Sequence, residues 1–132
     1  MKKLKKTVKS MVAEAKTKIS EINAKEAINL FKNDDVIFID IRDIRERLKL
    51  GFIPISFHAQ RWLLEFWVDP ESPYFKSIFD SDKKYVFHCA AGWRSALAVS
   101  TLKDMGFEAT HISDGFAGWL NEKGPVEFKN KK

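Results

Sequence analysis

The chain is poor in residues that could staple it or hold a metal. It carries one cysteine, Cys89, and three histidines, His58, His88 and His111. A single thiol excludes an intrachain disulfide and leaves no second thiol to resolve a mixed disulfide. A reducing compartment suits such a chain. The histidines stand singly, at no recognised ligand spacing from Cys89, so no zinc site is expected. Apolar runs long enough to span a membrane are absent, and the N-terminus lacks the continuous apolar region of a secretory signal. A cytoplasmic protein is expected. There is no internal repeat and no low-complexity segment.

A basic stripe across the body is lacking as well. The formal net charge is +5, but residues 1–18 hold seven lysines against one glutamate, which leaves residues 19–132 at −1. The basicity belongs to one end, and a nucleic-acid partner is not expected. What is abundant is material for a core: 45% hydrophobic residues and 13% aromatics, including 11 Phe and 4 Trp, in 132 residues. That composition excludes disorder and fits one domain.

The stretch Tyr85-Val86-Phe87-His88-Cys89-Ala90-Ala91-Gly92-Trp93-Arg94-Ser95 organises the rest. A short apolar run reads as a buried strand that delivers Cys89 to a tight turn. Ala98, Thr101, Leu102 and Met105 then recur at helical spacing, with Gly106 as the stop. A thiol at that junction faces the positive end of a helix dipole, and Arg94 brings a full positive charge, surroundings that favour thiolate. The small residues Ala90, Ala91 and Gly92 let the turn's amides point inward and cradle an anion. The competing reading is an inert, buried cysteine at a strand end.

The remaining segments alternate between helix and strand. Leu4, Val8, Met11, Val12, Ala15, Ile19 and Ile22 form one apolar stripe on a lysine-rich helix expected over 1–22, which docks on its own domain rather than on a membrane. Asn23 and Glu26 make a capping-box pattern for a helix running to Leu30 and Phe31. Val36–Ile41 is continuously apolar, as in a parallel strand covered on both faces. Asp43–Leu50 is helix-compatible and Gly51 ends it. Phe52-Ile53-Pro54-Ile55 reads as an edge segment, Ser56–Ala59 as a short strand, and Gln60–Val68 as a helical turn or two stopped by Asp69-Pro70. Arg61, set among apolar neighbours, needs an anion or a carboxylate for its head group, and Glu65 lies one helical turn on. Ser72–Phe79 is an amphipathic turn, Ala109–Ile112 a last strand, and Asp114 the expected cap of a final helix ending near Lys123-Gly124-Pro125. The alternation implies an α/β domain over 23–128, a central parallel sheet with helices on both faces, and a basic tail at 129–132. Ligands of such sheets sit outside the carboxyl ends of the strands, where Cys89 falls. His88 adjoins the thiol in sequence, but strand alternation turns it to the opposite face. It reads as structural, and no other candidate base is evident.

The loop Cys89–Ser95 resembles the active-site loop of rhodanese-like sulfurtransferases. Val36-Ile37-Phe38-Ile39-Asp40-Ile41-Arg42 resembles that family's Asp-x-Arg strand motif, and Asp114-Gly115-Phe116-Ala117-Gly118-Trp119 its closing motif. The insertion at 64–73 is similar to that of one subgroup of single-domain members. Gly51-Phe52-Ile53-Pro54-Ile55-Ser56 departs from the usual Gly-His-Ile-Pro-Gly-Ala, losing the polar histidine and the second glycine.

The resemblance implies sulfur transfer through a persulfide on Cys89, from a donor such as thiosulfate to cyanide, a thiol or a protein acceptor, without a cofactor. It casts Cys89 and Arg94 as catalytic. Ala90, Ala91, Gly92, Trp93, Ser95 and Arg61 become substrate-binding residues, and Asp40 with Arg42 a supporting frame. Phosphatases and arsenate reductases of similar plan carry five residues between cysteine and arginine, whereas four lie between Cys89 and Arg94 here. A non-catalytic binding module is the other alternative, against which the retention of both residues counts.

Overall fold

A computed structural model describes residues 1–129. Of the expected basic tail, all but Lys129 lies outside the described residues. Five strands, β1 (Glu21–Ile22), β2 (Val36–Asp40), β3 (Phe57–His58), β4 (Lys84–His88) and β5 (Thr110–Ile112), form one sheet in the order β1-β5-β4-β2-β3. Every pairing is parallel, and Asp40 on β2 stands opposite His88 on β4. Helices α1 (Val8–Lys18), α2 (Ala24–Asn29), α3 (Ile44–Leu50), α4 (Leu64–Val68), α5 (Trp93–Asp104) and α6 (Gly115–Asn121) complete the α/β architecture.

Alternation along the two central strands divides the core. Ile39 and Ile41 of the β2 segment and Tyr85, Phe87 and Cys89 of the β4 segment pack with Leu64, Val68, Ala98 and Leu102. Phe38 and Val86 turn the other way, onto Ala24, Ala27, Phe116 and Trp119. Period-two geometry thus sends the Cys89 thiol toward α5 and the His88 ring toward α6, where it stacks on Phe116 with centroids 5.9 Å apart. Trp119 is fully buried, and its one polar atom is satisfied by the Pro125 carbonyl at 2.7 Å.

Two expectations are corrected. The lysine-rich helix does not run over 1–22: Thr7 and Ser10 close a capping box that starts it at Val8, and Ile19 leaves it in an extended conformation. The chain then adds Glu21–Ile22 to the sheet beside β5. Only Val12 and Ala15 of the stripe are buried, against Ala96, while Leu4, Val8 and Met11 remain exposed. Asp114 does not cap its own helix. Its carboxylate accepts from the Ala24 amide at 2.8 Å, the first turn of α2, ninety residues away. That amide is one of the unpaired donors every helix start presents.

A turn forms at 53–56 without a glycine. The Ser56 amide donates to the Ile53 carbonyl at 3.1 Å, and Ile55 adopts φ 61° with 79% of its surface exposed. A β-branched residue in the left-handed region is a true outlier. Phe52, in the histidine's place, lies under the Arg47 guanidinium at 4.2 Å and pairs with Glu127.

Candidate active site

Strand β4 ends at His88 and the next residue, Cys89, is 1% exposed. Helix α5 opens at Gly92, which has no side chain with which to cap it. The cysteine sulfur takes that place. Its Sγ accepts from the Gly92 amide at 3.1 Å and from the Ser95 amide, in the third helical position, at 3.4 Å. Unpaired donors and the helix dipole therefore converge on one sulfur, which favours negative charge there. Among the described residues these are the two amides bonded to Sγ. The wider ring of amides expected from Ala90 to Ser95 is narrower in fact.

Two glycines make this loop possible. Gly92 has φ 100°, and a Cβ there would collide with the Ser113 carbonyl. Gly115 lets α6 approach until its Cα lies beside Ala90, where a Cβ would strike the carbonyl oxygen. The amides of Phe116 and Ala117 then hold the carbonyls of Cys89 and Ala90 at 2.9 and 3.0 Å. With its carbonyls pinned on α6, the loop presents later amides to the sulfur.

Arg94 is braced rather than free. Its two terminal nitrogens meet the two carboxylate oxygens of Glu46 at 2.9 and 3.0 Å. This bidentate pair fixes the guanidinium and neutralises much of the charge expected to act on the thiol. The Arg94 hydrogen bond pulls the Glu46 carboxyl below its ordinary range, against partial burial. Glu46 also accepts from the Asp43 amide in a capping box, so α3 fixes its position. The box pattern of Asp43 and Glu46 was the one local signal for it. Nothing near Arg94 in sequence pointed to Glu46.

Asp40 and Arg42 form the frame beneath. Asp40 receives Arg42 Nη2 and Arg47 Nη1, each at 2.9 Å, and Arg42 reaches on to the Gly51 carbonyl at 2.8 Å. The Arg42 guanidinium lies 4.1 Å from the Phe116 ring centre. Burial pushes the Asp40 carboxyl up, but His88 and the hydrogen-bonded Arg42 outweigh it and hold it well below the carboxylate range. His88 is buried, which holds it below its ordinary value against the pull of Asp40. Arg61 pairs with Glu65 at 2.9 Å, so its head group has the carboxylate one turn on. Trp93 is exposed on the first turn of α5, and Ala91 lies exposed at the loop's outer bend.

One group was missed. The Ser95 hydroxyl is 3.5 Å from Cys89 Sγ and 2.7 Å from His111 Nδ1, and His111 Nε2 is 2.7 Å from Glu21. A basic side chain thus stands one hydroxyl away from the sulfur, contrary to the reading that no base was available. Strand β5 lies beside β4, and its central residue points to the α5 face. Only the strand order reveals this.

The model of the rhodanese-like domain matches residues 23–122. The chain belongs to this family. It is 26% identical over 110 residues to the thiosulfate sulfurtransferase GlpE of Glaesserella parasuis, covering 83% of this chain and 94% of that one. A Rhodopseudomonas palustris protein of unknown function, described as a possible tyrosine phosphatase, superposes with a TM-score of 0.92 at 46% identity over 96% of this chain and 98% of that one. The polysulfide-sulfur transferase homodimer of Wolinella succinogenes gives a TM-score of 0.64 at 27% identity, covering 92% and 88%. The rhodanese-like match includes the Cys89 loop, Asp40, Arg42 and the α6 motif, but begins after Glu21.

Proposed function

We propose that this protein is a sulfurtransferase that carries sulfane sulfur as a persulfide on Cys89. The observation that carries the reading is the sulfur held as acceptor by the Gly92 and Ser95 amides, with four residues between Cys89 and an arginine locked on Glu46. The Cys89 thiolate attacks the outer sulfur of thiosulfate; a sulfur–sulfur bond forms and sulfite leaves with the bonding pair. Cyanide or an acceptor thiolate then takes the outer sulfur, and the bonding pair returns to Cys89. The amides that face Sγ stabilise the anion in both half-reactions. No cofactor enters either step. Relatives named for thiosulfate and polysulfide sulfur transfer support this class of donor. The acceptor is a small thiophile or a protein thiol, and neither nucleic acid nor a membrane is a partner.

The second reading is phosphoester hydrolysis, favoured by the description of the relative at 46% identity. The four-residue loop with two amides on the sulfur counts against it, because a phosphate needs a wider ring of donors. One preparation assayed with thiosulfate plus cyanide and with an aryl phosphate separates the two. Cysteine-dependent thiocyanate with little phosphate is expected, and Cys89→Ser should abolish it. Mass spectrometry after thiosulfate alone should find one added sulfur atom, removed by cyanide. Faster phosphate release than thiocyanate formation would replace the sulfurtransferase with a phosphatase, and a reactive thiol inert in both assays would leave a binding module.

A further inference from the structure

The buried side of the cysteine carries a proton path that the persulfide chemistry does not use by itself. Four groups from four elements line up: Cys89 at the end of β4, Ser95 on α5, His111 on β5 and Glu21 on β1. The separations are 3.5, 2.7 and 2.7 Å. Ser95 and His111 are wholly buried, whereas Glu21 reaches the surface and has Lys16 at 3.8 Å. A carboxylate only accepts, so Glu21 requires a proton on His111 Nε2. That leaves Nδ1 of the neutral ring as an acceptor for the Ser95 hydroxyl, whose oxygen then receives the Cys89 S–H. If Nδ1 is protonated, the polarity reverses: Nδ1–H donates to Ser95 and the Ser95 hydroxyl donates to a thiolate.

We propose that His111, held by Glu21, positions Ser95 and stores the proton of Cys89, so that the thiolate forms inside the fold without contact with solvent. The step is a paired transfer. The Sγ–H bond breaks as its proton moves to Ser95 Oγ, and the Ser95 hydroxyl proton moves to His111 Nδ1. No electrons leave the chain, the products are thiolate and imidazolium, and Glu21 keeps the Nε2–H throughout. The order of groups is that of a nucleophile, a base and an orienting carboxylate, with one hydroxyl inserted. Burial and Lys16 keep the ring below its ordinary value, so it rests neutral, while the Glu21 carboxylate pulls the other way and favours the imidazolium. Glu21 precedes the residues matched by the family model, so the orienting group comes from this chain's own N-terminal segment.

The proposal rests on the sulfurtransferase reading only for the use made of the thiolate. Alkylation needs no sulfur donor, so the two can fail separately. The test is the rate of Cys89 alkylation by iodoacetamide against pH on the full chain, with melting temperature as the control for folding. His111→Asn, which cannot take the proton, should slow alkylation at about pH 7 by about tenfold or more and converge with the native rate at high pH. Ser95→Ala should lose as much, and the double variant no more than either alone. Glu21→Gln, a change at the surface that spares the core, should give a smaller loss in the same direction. Superimposable pH profiles for the native chain, His111→Asn and Glu21→Gln would overturn the proposal, as would additive losses in the double variant.

Discussion

Glu46 and Arg94, forty-eight residues apart, face each other through two parallel hydrogen bonds of 2.9 and 3.0 Å. Each side chain is partly exposed, 28% and 43%, so the pair adds under about 1 kcal/mol to stability. Its worth lies in position, because the same helix turn that carries Arg94 carries the Ser95 amide bonded to sulfur. Glu46→Gln keeps an acceptor for the Asp43 amide but loses the ion pair. Thiosulfate–cyanide turnover should fall about tenfold or more while the melting temperature hardly moves. Turnover at the native level would mean that the arginine needs no brace.

What could be read along the chain was what neighbouring residues decide together. Asp40 and Arg42 are two apart, a spacing that lets them share one side where β2 ends; the resemblance named them a frame, and they are bonded there. Gly92 needed only its place between Cys89 and a helical pattern. Asn23 with Glu26 announced α2 by a box closed within four residues. The start of α1 was a local miss, since Thr7 and Ser10 close their box three residues apart, and the missed contacts are ones that strand order creates. Glu46 meets Arg94, His111 meets Ser95 and Asp114 meets Ala24 because the chain crosses over between adjacent parallel strands. Arg61 shows the converse: its local partner Glu65 was visible in sequence, and the structure realises it.

Ile55 offers a gain in stability at no cost to the core. Its φ of 61° is strained for a branched side chain that is 79% exposed and buries little. Ile55→Gly relieves about 1–2 kcal/mol of left-handed strain and gives back about 0.5–1 kcal/mol in unfolded-chain entropy. A net gain of about 0.5–1 kcal/mol is expected, read from denaturant midpoints at unchanged slope. A loss of stability would show that the turn does not hold this conformation in solution.

Stability should fall between about pH 6.5 and 5 for a reason that carboxylates do not share. Burial holds His88, like His111, below the ordinary 6.5, so the folded state binds fewer protons in that window than the unfolded chain. Stability is then full above the unfolded value and is lost as the pH drops, by about 1.4 kcal/mol per pH unit for each histidine kept neutral. Asp40 and Glu46 run on a lower scale: both are depressed, so their contribution persists down to about pH 4 and is lost only below it. Melting temperatures across pH 5–8 should therefore slope, and His88→Asn, though less stable, should flatten the curve. An equal slope in that variant would remove His88 from the account.

Helix α1 should support the fold without joining the chemistry. Val12 and Ala15 cover Ala96 on α5, and Lys103 Nζ donates to the Lys18 carbonyl at 2.6 Å. Removing residues 1–18 uncovers that patch and costs about 2–3 kcal/mol by the area returned to water, which lowers the melting temperature by several degrees. Glu21 remains on β1, and the Lys16 contact at 3.8 Å between partly exposed side chains is weak. Turnover of the shortened protein at a temperature well below its midpoint should stay within about twofold of native. A membrane role demands the opposite: the face that packs on α5 would have to turn toward lipid, taking its lysines with it. Strong sedimentation of the native protein with anionic vesicles, abolished by the deletion while the melting temperature stays unchanged, would show that α1 belongs to a membrane surface and not to this domain.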